Sequence, residues 1–447
     1  MDFQLDWLYL YIQVTVLLTI PIREIFRKQG RNLYAILIPI TMLILVQGQA
    51  WWMLNKFEVN NLSEMQHIFQ TINIDGLRRA NFYMFLTTIV FVITYCYLTL
   101  RERKINIKAC NLLSPPLAPG AHNFIFSIFI LLSGLLVINT SGGLEAAITN
   151  PGLTFTHGLV FFLMLLWIGK FPALNNIAVG RKNNWMDISL FIFVIAIFLI
   201  NSRILVSFTL FQLVLLYNYC RKEINRRSLL YGAIVLFIIF FVFGMYRHYI
   251  PQYEDIQHDM SAGFVADLFS IENLVDWFYG INVEGFASLA GLLSYESNQG
   301  GINYDFGLSN LSALFQFIPS SLRFSENLIF KDMQDLFSSL YPYVGSVVPS
   351  GMENAYAHFG LTGLIGLGAL LGFLIHWFHS KMSDIKTDRL LLAILSIQFL
   401  QLIRGSFYVL TFYFLAEIII LFLYRSFLNI SNALPKSSLI KKWLSSV

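Results

Sequence analysis

Eleven apolar runs constrain this chain more than any other feature. They fall at residues 5–22, 33–53, 82–100, 124–138, 157–171, 186–200, 204–219, 229–245, 355–378, 390–403 and 407–424. About 20 apolar residues in helical form span the hydrocarbon of a bilayer. A membrane β-barrel would instead show short segments of alternating polarity. The runs therefore predict an all-α, polytopic integral membrane protein with about eleven transmembrane helices. Composition agrees: 56% of residues are hydrophobic, and 13% are charged where a soluble domain carries roughly a quarter. We expect one polytopic membrane domain over 1–447.

Charge orients it. Cytoplasmic loops of membrane proteins are enriched in Lys and Arg. Placing REIFRKQGR (23–31) in the cytoplasm and alternating leaves only Lys56, Arg78, Arg79, Arg203, Arg247, Arg323, Lys331 and Arg404 on the other side, out of 30 Lys and Arg. Every loop agrees on this direction. The N-terminus is then external and the C-terminus cytoplasmic. The opening MDFQLDWLYL lacks the basic segment of a signal peptide, so the first run is expected to remain as a helix. Cys96, Cys110 and Cys220 fall at or near the cytoplasmic side with no CxxC spacing, which predicts free thiols.

The long polar interval, 247–353, becomes one large external loop. It holds thirteen Asp and Glu against Arg247, Arg323 and Lys331. That balance argues against nucleic acid as a partner. Within it, 286–293 and 308–318 are apolar enough for a half-helix or for amphipathic segments lying in the interface. WFYG, NYDFG and YPY mix rings with carboxylates and amides. This suits sugars, with Trp277, Tyr304, Asp305 and Arg323 as candidate glycan-binding residues; an aromatic belt at the membrane interface is the alternative use of such rings.

Three arginines stand where the charge rule disfavours them. Arg203 and Arg404 lie at the tips of very short external hairpins, and Arg247 ends the eighth run. A single such arginine would be read as snorkelling to headgroups. Three at one membrane level suggest bidentate binding of phosphate oxygens, as on a lipid-linked diphosphate. Glu353 opens the ninth helix, where an acid favours the helix dipole or acts as a general base. His358 follows five residues on, off the glutamate's face but able to border the same cavity. Glu417, deep in the last run, is expected to pack or hydrogen-bond rather than mark a transport path. No Walker A sequence, HExxH, Cys/His cluster or DxD pattern is present, so neither a metal nor a cofactor is expected.

Several segments together resemble the Wzy-type O-antigen (oligosaccharide repeat unit) polymerase family. These are NSRILVSFTLFQLVLLY (201–217), YRHYIP at the mouth of the long loop, FQFIPSSLRF (315–324), VPSGMENAYAHFGLTGLIG and LIRGSFYVL. The resemblance covers about residue 200 to the C-terminus; the first half matches in hydropathy alone. Ser406 stands where an Asp is common in that family, and the IPSSLRF segment lacks the usual Trp-Pro continuation.

The resemblance implies a GT-C-like membrane glycosyltransferase in the bacterial inner membrane, with its active site facing the periplasm. It would join undecaprenyl-diphosphate-linked repeat units by moving a glycan to a sugar hydroxyl, without metal. Arg203, Arg247 and Arg404 would hold the diphosphate, Glu353 or His358 would take the proton, and Tyr356 would join the glycan-binding residues. Partners would be the lipid-linked oligosaccharide, membrane lipids, a chain-length regulator and a flippase of the same pathway. An O-antigen ligase would follow the same general plan, but its His-Asn pair is absent from AHF (357–359). A lipid-linked-oligosaccharide flippase would predict internal repeats, broken helices in matching halves and several intramembrane charges. A non-catalytic subunit of polysaccharide machinery is the remaining alternative.

Overall fold

The computed structural model describes residues 3–27, 30–58, 72–101, 285–302 and 350–383, with short pieces at 214–215, 218–219, 224–229, 231, 275, 279, 304, 306, 392, 395–396, 402–403, 418 and 422. All regular structure among these residues is helical. Helix α1 is Gln4–Phe26, α2 Tyr34–Met42, α3 Gly48–Glu58, α4 Ile74–Arg101, α5 Phe286–Gln299 and α6 Gly351–Ser383. A π-helical turn, Leu43–Gln47, joins α2 to α3 in one rod. Four of these stretches are long and apolar enough to cross a membrane: α1, the α2–α3 rod, α4 and α6. This is a helical membrane protein.

The chain divides into two compact units. The first comprises Met1–Asn106, His258–Lys381 and Gln398–Phe412 and contains the six helices, α6 ending at its boundary. The second comprises Ile107–Gln257, Met382–Ile397 and Tyr413–Val447. Within the second, Asn225 Oδ1 accepts the Ser228 N–H at 2.8 Å and so caps the short helical turn at 226–229, while Asn218 Oδ1 accepts the Ile224 N–H just before it at 2.9 Å.

Polar pairs at both ends of the first unit fix the helix directions. Near the start of α1 and α4, Arg78 Nε donates to Asp6 Oδ2 at 3.1 Å and Asn81 Nδ2 donates to the Asp6 carbonyl at 2.7 Å. Near their ends, the Tyr95 hydroxyl donates to Glu24 Oε1 at 3.3 Å. Helices α1 and α4 are therefore parallel. Trp7 Nε1 reaches Glu58 at 3.0 Å, so the α2–α3 rod runs against α1. A buried amide chain crosses between them: Gln47 donates to Gln13, which donates to Asn81 at 3.1 Å. Such side chains hold helices together where lipid removes the hydrophobic drive for association. Gly368 and Gly372 of α6 lie against Thr87 and Phe91 of α4 in the same sequence order, so these two are also parallel.

The opposite end of the unit closes on Glu24 and Asn32, both buried. Glu24 accepts the Asn32 N–H at 3.0 Å. Asn32 Oδ1 accepts the N–H groups of Tyr34 and Ala35, and its Nδ2 donates to the Ile375 carbonyl at 3.3 Å. One side chain thus caps α2 and ties it to α6. Replacing Asn32 by Ala is expected to cost about 1–2 kcal/mol, read as a lower thermal midpoint of the purified protein in detergent. Cys96, near this end of α4, is a free, exposed thiol, as expected; Cys110 and Cys220 lie outside the described residues.

Two segments carry more than hydropathy showed. Helix α4 begins ahead of the third run, at Ile74, where Asn73 Oδ1 accepts the Gly76 N–H at 2.7 Å as an N-cap. The segment beginning at Phe286 takes the first of its two expected forms, a helix, rather than that of an amphipathic surface segment. Every residue from 286 to 294 is buried, and α5 packs on α4 and the α2–α3 rod. Its Ala, Ser and Gly residues account for its weak signal. They lower its hydropathy but allow backbones to approach closely. At Gly76 the Ala290 carbonyl and Ser294 backbone nitrogen stand only 2.7 Å from where a Cβ would be. The other weakly apolar segment, 308–318, lies outside the described residues.

Candidate functional site

The stretch PSGMENAYAHFG builds the site. Ser350 is an N-cap: its Oγ accepts the Glu353 N–H at 3.1 Å and lies 2.7 Å from the Ser288 hydroxyl of α5. Gly351 is required because the Leu402 carbonyl fills the space of a Cβ. Ser350 also reaches the carbonyl of Gly285, at the N-cap of α5. Gly285 in turn lies against the Leu45 carbonyl, and Gln49 accepts the next amide, Ala287 N–H, at 2.9 Å. Gln49 is nine residues before the C-terminal end of α3, or about 13 Å by helical rise. The start of α6 is thus sunk below the end of the unit where Glu58 and Trp7 meet.

Helix α6 is also not one rod. Gly360 has φ 62° and ψ −151°, a region essentially reserved for glycine. The Ala355 carbonyl occupies the place of a Cβ on Gly363. Eight residues of unbroken helix would separate those two by about 12 Å, so the chain folds back at Gly360. A short segment, 351–359, precedes the break and the span proper follows it. The break exposes carbonyls that an intact helix would satisfy, and Phe306 N–H takes that of His358 at 3.3 Å.

Glu353 and His358 both belong to the short segment and both are buried, Glu353 completely. Tyr356 lies one turn after Glu353 and points to a polar cluster. Its hydroxyl donates to Glu296 Oε2 at 2.9 Å. Arg79 Nη2 donates to the same oxygen at 2.5 Å, and Arg79 Nη1 donates to Ser297 Oγ at 3.0 Å. The Arg79 guanidinium sits 5.8 Å from the centroid of Tyr83, which stacks on Tyr356 at 5.8 Å. Tyr304 completes the group: its hydroxyl lies 3.4 Å from Glu296 Oε1, and its ring meets that of Tyr356 edge-on. Tyr279, from the WFYG stretch, packs its phenol against Gly48, and burial pushes that phenol above its ordinary value.

The structure therefore gathers Glu353, Tyr356, His358 and Tyr304 around one helix segment. Arg203, Arg247, Arg404, Arg323, Asp305, Trp277 and Glu417 lie outside the described residues. Sequence reasoning missed Arg79 and Glu296. Arg79 carried a usable signal, since it is one of the few cations that the charge rule leaves on its disfavoured side. It entered only the charge balance, and its acid lies 217 residues away.

Chemically, the arrangement offers a carboxylate shielded from water, a second carboxylate held by a guanidinium and phenols, and exposed rings at Tyr304, Phe306 and Phe359. Comparison with known proteins found no matching family model, curated protein or solved structure.

Proposed function

We propose that this protein is a surface-polysaccharide polymerase of the bacterial inner membrane. It has eleven spans, a periplasmic N-terminus, a cytoplasmic C-terminus and a GT-C-like plan. A hydroxyl of one lipid-linked repeat unit attacks the anomeric carbon of the glycan on a second undecaprenyl-diphosphate. The glycosidic bond forms as the sugar–phosphate bond breaks, and the diphosphate leaves on its lipid. Glu353, or His358, takes the hydroxyl proton. Arg203, Arg247 and Arg404 stabilise the departing diphosphate, a placement of positive charge where negative charge develops.

The single observation that carries this reading is the folding of PSGMENAYAHFG into a sunken, capped half-helix with a fully buried Glu353. Ionisable groups inside a membrane are costly and mark function by default. The helix directions also support it. Helices α1, α4 and α6 are parallel and the α2–α3 rod is opposed, as alternation of the eleven runs requires.

The test is reconstitution of the purified protein in liposomes with lipid-linked repeat units, in EDTA and without nucleotide sugar. A ladder spaced by whole repeat units is expected. If substrate stays intact with folded protein, polymerisation is excluded; adding lipid A–core then tests the ligase reading. The break at Gly360 and the π turn at 43–47 favour one second reading, a lipid-linked-oligosaccharide transporter, because interrupted spans line transport sites. Movement of intact substrate across the liposome bilayer without a ladder would establish it.

A further inference from the structure

We infer that Glu296, Arg79, Tyr304 and Phe306 form a saccharide subsite above the sunken half-helix, in which Glu296 Oε1 accepts a sugar hydroxyl in place of the Tyr304 phenol. The two oxygens of Glu296 are held very differently. Oε2 is fixed by Arg79 and by Tyr356, at 2.5 and 2.9 Å. Oε1 has the Tyr304 hydroxyl at 3.4 Å, longer than a well-formed O–H···O bond. That phenol belongs to an exposed residue. A ligand hydroxyl can therefore displace it without disturbing the other oxygen. The carboxylate is already oriented, so little ordering cost remains at binding.

A second ring, Phe306, follows two residues after Tyr304 and is also held in place. Phe306 is 73% exposed and adopts φ 52°, a conformation unfavourable for a bulky residue. Burial of the ring does not offset this. Instead its N–H is tied to the His358 carbonyl released at Gly360. Strain of this kind persists where the surroundings impose it, and it clusters at ligand sites. Phe359, 45% exposed, meets Phe306 edge-on at 6.3 Å. Ring faces suit the C–H faces of a pyranose, and planar charged groups suit its paired hydroxyls. Rings serving only as membrane anchors would need no oriented ion pair beside them.

The polymerase reading supplies the source of the sugar, a repeat unit, and the inference rests on it to that extent. The test uses binding, not turnover. Repeat-unit oligosaccharide freed of lipid and diphosphate by mild acid is titrated into the full-length protein in detergent, followed by saturation-transfer NMR. Glu296→Gln is expected to weaken binding about tenfold or more, the value of a hydrogen bond to a charged group, and Phe306→Ala about tenfold, the value of burying a ring's apolar surface. Phe306→Ala removes an exposed ring, so its thermal midpoint should match the parent protein and any loss of affinity is local.

Glycan binding that both variants weaken, in a protein that forms no ladder, would support the subsite while the polymerase reading falls. A ladder from the parent protein together with unchanged affinity in both variants would overturn the subsite and leave the rings as interfacial anchors. Absence of oligosaccharide binding by the parent protein at millimolar concentration would overturn it too.

Discussion

Gly285→Ala is expected to destabilise the first unit more than any other single-methyl addition at the positive-φ glycines. Two effects coincide there. The residue has φ 78° and ψ −114°, costing a non-glycine residue about 1–3 kcal/mol. The new methyl would also stand 2.6 Å from the Leu45 carbonyl, and overpacking of that kind adds about 1–3 kcal/mol. Backbone cannot move aside as a flexible side chain can. Gly300→Ala is the control. It shares φ 78° but meets nothing within 4 Å, so only the left-handed conformation costs, about 1–2 kcal/mol. Thermal or denaturant unfolding in detergent should rank parent above G300A above G285A. Equal losses would show that α5 does not dock on the π turn.

Glu353→Gln should have the largest effect on activity. If Glu353 accepts the hydroxyl proton, the rate of ladder growth in the reconstituted system falls about 10²- to 10⁴-fold. If it merely favours the helix dipole, the change costs about 0.3–1 kcal/mol of stability, and polymer still forms. Gln keeps the shape of the buried side chain and the Ser350 cap, so the two outcomes separate in rate against thermal midpoint. Near-normal polymer from Glu353→Gln would remove the carboxylate from proton transfer and leave His358.

The elements that hydropathy and charge made legible are those set by local composition. The first, second and third runs, 5–22, 33–53 and 82–100, lie within α1, the α2–α3 rod and α4 apart from a single residue, Leu33. Alternation of successive runs predicted the relative directions seen for α1, the rod and α4. What escaped depends on partners distant in the chain. Nothing near residue 79 reveals that Glu296 will meet Arg79, or that Ser297 will bond Asp75. Helix α5 was legible as one of two forms, but its burial was not, because smallness, which permits packing against Gly76, looks like weak apolarity in sequence. The break in α6 was hidden among many glycines: HFGLTGLIGLG offers four positions, and Tyr304 and Phe306 single out Gly360. For the candidate site, PSGMENAY was legible as a helix start with Glu353 in its first turn. That the start is sunk and Glu353 fully enclosed follows from Gly285, Ser288 and Leu402, each supplied by another segment.

The docking of α5 on α4 has a consequence for biosynthesis. Helix α4 ends at Arg101 and α5 begins at Phe286. At the usual rate of about 5–20 residues per second, the ribosome takes roughly 10–40 s to bridge that interval. Throughout it, the first three spans can insert and pair, but the groove at Gly76 and the side chain of Arg79 wait for a segment not yet made. Chains released before residue 299 would present this unfilled polar groove within the bilayer, a mark by which a membrane protease could distinguish an unfinished protein from a complete one.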